Sequence, residues 1–450
     1  MNKYVVKVLG LSILLTLVSA CGRGSGDPEK VLLPEIQPDG GSTLVEARIQ
    51  TLGNVHEVSG PAAIVYPNPE LVVGGYKGDP AKPHVVASND VWIPSDVQST
   101  AALSIYYAYE RLMLFENSVF PDSRISWPRK VGFDVTSIGG GSNNAFYAAE
   151  DNDGDILDVT AILPYSGNGL AIAYNTGIIA HEHFHAHFYR IFGELLGRSS
   201  EGKSIDLNPH HLEKAKGCGI SSKLSKYDVE KKTAHFQQAV NSMIFRGWNE
   251  GLADFYGALF TGANNFFDES LASDGQRDVG KPTDGIYTRK VFEYALERDI
   301  SYGEGCNSLG LAYSMGTQVA RRVAQHYAKK YDAKAPDFKE KVAIDFFKSL
   351  MNSRSKIREK YKDGELLTSW IFGVFEGPGK ASEMDRKREM ERAAKAIIEA
   401  LGSMGKNKKR SDANVPTYQG TGSKKKGDQK DEEESATSKQ AESSQNGTAE

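Results

Sequence analysis

The chain has 450 residues, 40% of them hydrophobic and 25% charged, with a formal net charge of −4. This is a globular composition with ample length for a large core. Nothing in this balance points to a nucleic-acid partner.

The opening stretch MNKYVVKVLGLSILLTLVSAC carries Lys3 and Lys7, an apolar run from Val8 to Val18, and small residues before Cys21. The run is too short to span a bilayer and reads as a signal-peptide core, so 1–20 are expected to be removed. The ending VSAC resembles the lipobox of bacterial lipoproteins. The resemblance implies lipid on Cys21 and a chain anchored at the cell envelope without crossing the membrane. Gly22 follows the cysteine, which suits the outer membrane if the source is Gram-negative. Export would place Cys218 and Cys306 in an oxidising compartment, where the pair is open to a disulfide.

Residues 21–48 are rich in Gly, Pro, Ser and acids and are expected to be a tether. Short apolar runs broken by Pro, Gly and Asn make 49–95 a β-rich segment. The main domain is expected over 96–400. It opens with a helix over 97–117, capped by Ser95 or Asp96. KVGFDV reads as a strand, and NNAFYAAEDNDGDILDVTAILPY as strands around a turn at Asp151–Asp155. The EF-hand pattern wants Gly where Ile156 stands, so a plain turn is preferred to a calcium loop.

From Asn175 the period becomes helical through NTGIIAHEHFHAHFYRIFGELLG, with Asn175 or Thr176 as cap. Residues 198–230 are polar and irregular. Helical patterns return at 231–261, 310–332 and 336–400. The tail 401–450 has almost no apolar residues and is expected to be disordered.

Four histidines fall between 181 and 187. On a helix His181 and His185 share one face, and His183 and His187 share another. Only the first pair reads His-Glu-x-x-His, which places two imidazoles on one metal with the Glu182 carboxylate beside its open position. A third ligand must come from elsewhere, and FRGWNEGLADFYGALF offers Glu250. Asp254, one turn later, can accept the free ring N–H of a liganding histidine.

His181-Glu182-x-x-His185 followed by Asn249-Glu250-x-x-Ala253-Asp254 resembles the gluzincin metallopeptidases, and in particular the thermolysin-like branch. NNAFY at 143–147 resembles that branch's edge strand. The resemblance covers roughly 95–330. It implies an α+β fold: a thermolysin-like zincin catalytic domain with a mixed sheet, an active-site helix and a mainly helical C-terminal lobe. It implies one zinc on His181, His185 and Glu250, with Asp254 behind them. Asn144 and Ala145 would hold a peptide or protein substrate. Glu182 would take the proton of the water that attacks the peptide bond. Two departures stand out. The segment 186–249 between the motifs is much longer than in that branch. GCNSLG has Gly305 where the branch has its transition-state histidine, which leaves Tyr313 as the candidate donor. Gly305 also keeps open a second function, a surface lipoprotein of the same fold that binds a partner without cleaving it.

Overall fold

The computed structural model describes residues 29–376, apart from 40, 138–140, 151–154, 194–223, 272–275, 284, 286, 303–306 and 363–365. All belong to one unit, Met1–Ser411. The expected signal peptide, Cys21, Cys218, Cys306 and the charged tail lie outside the described residues.

Residues 29–49 depart from the expected tether. They form β1 (Glu29–Ile36) and β2 (Ser42–Ile49), an antiparallel hairpin. Val31, Leu33, Ala47 and Ile49 are fully or almost fully buried. This alternation is what a half-buried strand requires. The hairpin continues into β6 (Val85–Ser88) and β7 (Val91–Pro94), in the order β2-β1-β7-β6, with β1 and β7 parallel.

The second sheet contains β3 (Ala63–Pro67), β8 (Arg129–Phe133), β9 (Ala145–Glu150) and β10 (Ile156–Ile162), in the order β3-β8-β10-β9. β3, β8 and β10 run parallel, and β9 returns antiparallel as an edge. Because β3 pairs with β8, no domain boundary falls at residue 95. Strand β3 of the expected N-terminal segment is built into the main sheet. A small ribbon pairs β4 (Glu70–Val72) with β5 (Gly75–Lys77).

Helix α1 (Val97–Val119) starts at Asp96, whose side chain accepts from the Ser99 N–H. Helix α2 (Thr176–Phe188) carries the histidines and runs on into a π-helical turn, Tyr189–Gly193. The rest is helical: α3 (Lys226–Lys231), α4 (Ala234–Thr261), α5 (Asp268–Leu271), α6 (Arg289–Tyr302), α7 (Asn307–Lys330), α8 (Phe338–Lys362) and α9 (Trp370–Glu376). The architecture is a mixed α+β fold, with two mixed sheets followed by a helical lobe. One continuous core joins the first sheet, α1, α2, α4 and the C-terminal helices. Among the described residues no helix is long and apolar enough to cross a membrane.

Candidate metal centre

Helix α2 is buried along its whole length. Its cap is Asn175, whose side-chain oxygen accepts from the N–H groups of Gly177 and Ile178 at 3.0 and 3.1 Å. The amide of the same side chain donates to the Phe266 carbonyl at 2.7 Å. A capped start is needed here, because unpaired N–H groups in the core would be costly.

Further along the helix, His181, Glu182 and His185 bring ligand atoms within 4.8 Å of one another. Glu250 on α4 faces them, with Oε2 3.6 Å from His181 Nε2 and Oε1 4.0 Å from His185 Nε2. Behind the rings, His181 Nδ1 lies 2.9 Å from Asp254 Oδ1, and His185 Nδ1 lies 2.9 Å from Asn249 Oδ1. The Asn249 oxygen holds the ring proton of His185 on Nδ1, and the Asp254 carboxylate favours the same tautomer of His181 by its charge. The two Nε2 lone pairs then face each other across 3.1 Å. Two buried acceptors at that distance repel unless something positive sits between them. Glu250 Oε1, also buried, has no hydrogen-bond partner. The donor set of two imidazoles and a carboxylate therefore fits a divalent cation such as zinc.

The charge balance of the protein alone agrees. Burial disfavours charge on His181, but Asp254 and Glu250 beside it outweigh this and push it up to about 9. Burial and the neighbouring His181 push His185 down to about 4. One positive charge is accommodated between the rings, and a metal ion competes for that place. Burial would raise the Glu250 carboxyl, yet His181, His185 and Arg277 hold it well below the usual carboxylate range.

Glu182 Oε1 and Oε2 lie 3.9 Å from His181 Nε2 and His185 Nε2 respectively. Its Oε2 accepts the backbone N–H of Tyr147 at 3.1 Å, which fixes the carboxylate against β9. Burial pushes its carboxyl up to about 8. Glu182 thus sits beside the centre, anchored from the sheet.

Strand β9 forms the other wall. In its register with β10, the Leu163 N–H donates to the Asn144 carbonyl at 2.8 Å, so the Asn144 backbone faces into the sheet. The alternation of an antiparallel pair then turns the backbone groups of Ala145 and Tyr147 outward. The Asn144 side chain accepts the N–H of Ala145 at 3.0 Å. Of the two residues expected to hold a peptide, Ala145 turns its carbonyl away from β10, while the Asn144 carbonyl accepts from Leu163 and its side-chain oxygen from Ala145.

Tyr313 is partly buried on α7. Two guanidinium groups stand near its ring, with Arg277 Cζ 5.9 Å and Arg246 Cζ 6.0 Å from its centroid. Burial and the Glu250 carboxylate push its hydroxyl well up, so it stays protonated and can donate. Sequence reasoning passed over Arg277. Its guanidinium grips both oxygens of Asp254 and stands 3.6 Å from Glu250 Oε2. It lies in a loop whose sequence carries no signal. Asn249 was quoted in the motif but given no role.

The other histidine pair faces away. His183 and His187 meet Glu116 of α1, and their Nε2 atoms lie 2.9 and 2.8 Å from its Oε1. The Tyr256 hydroxyl donates to the same oxygen at 2.8 Å. By residue type this cluster too could hold a metal ion. Its geometry differs, because here the donors converge on one carboxylate oxygen at hydrogen-bond distance. Burial would raise Glu116, yet the two imidazoles hold it well below the usual range. The cluster ties α1, α2 and α4 together. No protein-family model matches the chain and no curated protein matches it, which leaves this geometry as the basis for what the chain does.

Proposed function

We propose that the chain is a zinc-dependent endopeptidase of the thermolysin-like gluzincin type, exported and held at the cell envelope by lipid on Cys21. The observation that carries this is the pair of Nε2 atoms facing each other at 3.1 Å, with the Glu182 carboxylate pinned 3.9 Å from each. Zinc held by His181, His185 and Glu250 would act as a Lewis acid on water and on the scissile carbonyl. Glu182 takes the proton of the attacking water and passes it to the leaving amine. The Tyr313 hydroxyl donates to the developing oxyanion, in place of the histidine absent at Gly305. The free edge at Ala145 aligns the peptide by strand addition.

A second reading is a zincin-fold surface lipoprotein that binds a partner without hydrolysing it. Gly305 is the observation that favours it. Two variants separate the readings. Glu182→Gln keeps shape but cannot accept a proton, so zinc content stays near one per chain while peptide hydrolysis falls ~10²–10⁴-fold. His181→Ala loses both zinc and hydrolysis. Equal hydrolysis by wild type and Glu182→Gln would overturn the mechanism. A zinc-loaded wild type that cleaves no member of a broad peptide library would establish the binding reading.

A further inference from the structure

Arg246 sits on α4 one turn before Glu250, on the same helix face. It is 3% exposed, and none of its three guanidinium nitrogens has a hydrogen-bond partner. No other arginine among the described residues is left so empty. Arg129 is paired with both oxygens of Asp158, at 3.1 and 2.8 Å. Arg321 donates to the carbonyls of Asp278 and Gln276. Arg277, which also stands near the Tyr313 ring, is already spent on Asp254. A buried guanidinium without an anion is strongly unfavourable in a finished fold. It becomes intelligible when the anion arrives with a ligand.

We propose that Arg246 is a specificity residue that binds a carboxylate of the peptide substrate, which adds a substrate class to the function proposed above and rests on it. Three observations converge. The guanidinium lies one helical turn from a candidate metal ligand. It shares the Tyr313 ring with Arg277, which itself reaches Glu250. Its donors are buried and unspent. The planar fork of arginine matches a carboxylate with two parallel hydrogen bonds. In a peptide that carboxylate is an Asp or Glu side chain, or the chain's own C-terminus.

The test compares wild type with Arg246→Gln and Arg246→Met, all zinc-loaded. Paired peptides carry Asp or Asn, and Glu or Gln, at each position around the cleaved bond. A second series has free or amidated C-termini. In wild type one position should favour the carboxylate over its amide by roughly 10–100-fold in kcat/KM. In both variants the ratio of kcat/KM for each acidic peptide to that for its amide twin should fall to near one, and a ratio that stays at the wild-type value overturns the inference. A preference in the first series identifies an acidic side chain, and one in the second identifies the C-terminus. Cleavage with no carboxylate preference in either series overturns the inference.

Thermal unfolding without substrate supplies a readout independent of activity. Arg246→Met removes an unpaired buried charge at similar volume, so its Tm should equal or exceed that of wild type. A Tm several degrees lower would mean that the guanidinium already has a partner within the protein, and would also overturn the inference. If wild type cleaves no peptide, the function proposed above fails and this inference is judged by binding. The acidic peptides, but not their amide twins, should then raise the Tm of wild type and leave that of Arg246→Gln unchanged. Equal shifts for both peptides would reject it.

Discussion

Four histidines in seven residues form two pairs, and a helix that turns about 100° per residue sends them to opposite sides. The two pairs meet different chemistry. His181 and His185 each have an acceptor behind Nδ1 and an open Nε2 in front. His187 spends its Nε2 on Glu116 Oε1, and His183 Nε2 stands 2.9 Å from the same oxygen. Replacing both by Gln should therefore leave zinc near one per chain. It should also lower the melting temperature, because Glu116 would lose donors in a buried site at a cost of about 1–3 kcal/mol. Loss of zinc from a folded double variant would show that the metal belongs to the other face. Asn249→Ala leaves the three ligands in place but frees the His185 ring. Zinc affinity, measured by chelator competition, should fall roughly 10–100-fold. An unchanged affinity would mean that Asn249 does not orient the ring. At this scale the sequence was informative where spacing along one helix sets the geometry, as for His181, Glu182, His185 and Asp254. Arg246 was open to the argument applied to Glu250, since it too is a lone charge among Ile244, Phe245 and Trp248. Arg277 was not, because only the folded loop brings it to Asp254.

Helices place the site only if they pack closely enough. A Cβ added at Gly251 would be driven into the carbonyl oxygen of Gly316 on α7, and one at Gly247 would meet the Ala312 carbonyl at 2.9 Å. The neighbouring residue, Glu250, touches the same surface, since a Cβ at Gly316 would lie 3.0 Å from the Glu250 Cβ. Gly251→Ala should thus push α7 off α4 and shift Glu250 relative to Tyr313. The expected cost is about 1–3 kcal/mol of stability, with weaker zinc binding alongside. Full stability and full zinc affinity would show that the contact is slack. The sheet carries a second fixture. Burial would raise Asp158, but Arg129 grips both its oxygens and holds the carboxyl well below the usual range. A depressed carboxyl contributes stability that is present above its unfolded value near pH 4 and is lost as pH falls toward its folded value. Asp158→Asn should therefore lower the melting temperature at pH 7, and the gap from wild type should narrow below about pH 4. A gap independent of pH would remove the pair from the account. Helical periods were legible for α1, α2, α4 and α7 because each repeats an apolar face locally. The hairpin was not, since Pro34, Pro38 and the glycines between its strands give the composition of a linker. Its burial depends on β7, some sixty residues away.

Over the whole molecule the two ends of the chain should behave in opposite ways. The segment 403–450 offers few apolar side chains to dock, with Met404, Val415 and Tyr418 the largest, so its removal should leave melting temperature and hydrolysis unchanged. A clear fall in either would show that the tail packs. The N-terminal end is different, although its composition suggests a similar dispensability. Val31, Leu33, Ile36 and Ile49 are buried in the main core. The chain leaving β2 is tied to α1, where the Glu110 carboxylate accepts the N–H groups of Gln50 and Thr51. Arg111 pairs with Glu35 on β1. Four such side chains represent about 6–12 kcal/mol of apolar burial, which is comparable to the whole stability of a typical domain. A chain beginning at residue 50 would also leave the edge of β7 bare, a surface prone to aggregation. Such a chain should be recovered unfolded or aggregated, whereas one beginning at residue 27 should fold and melt cooperatively. Circular dichroism melts of the two truncations decide the matter. If the shorter chain unfolds cooperatively at the same temperature as the longer one, the hairpin is a tether after all, and the first sheet contributes nothing to the scaffold around the metal centre.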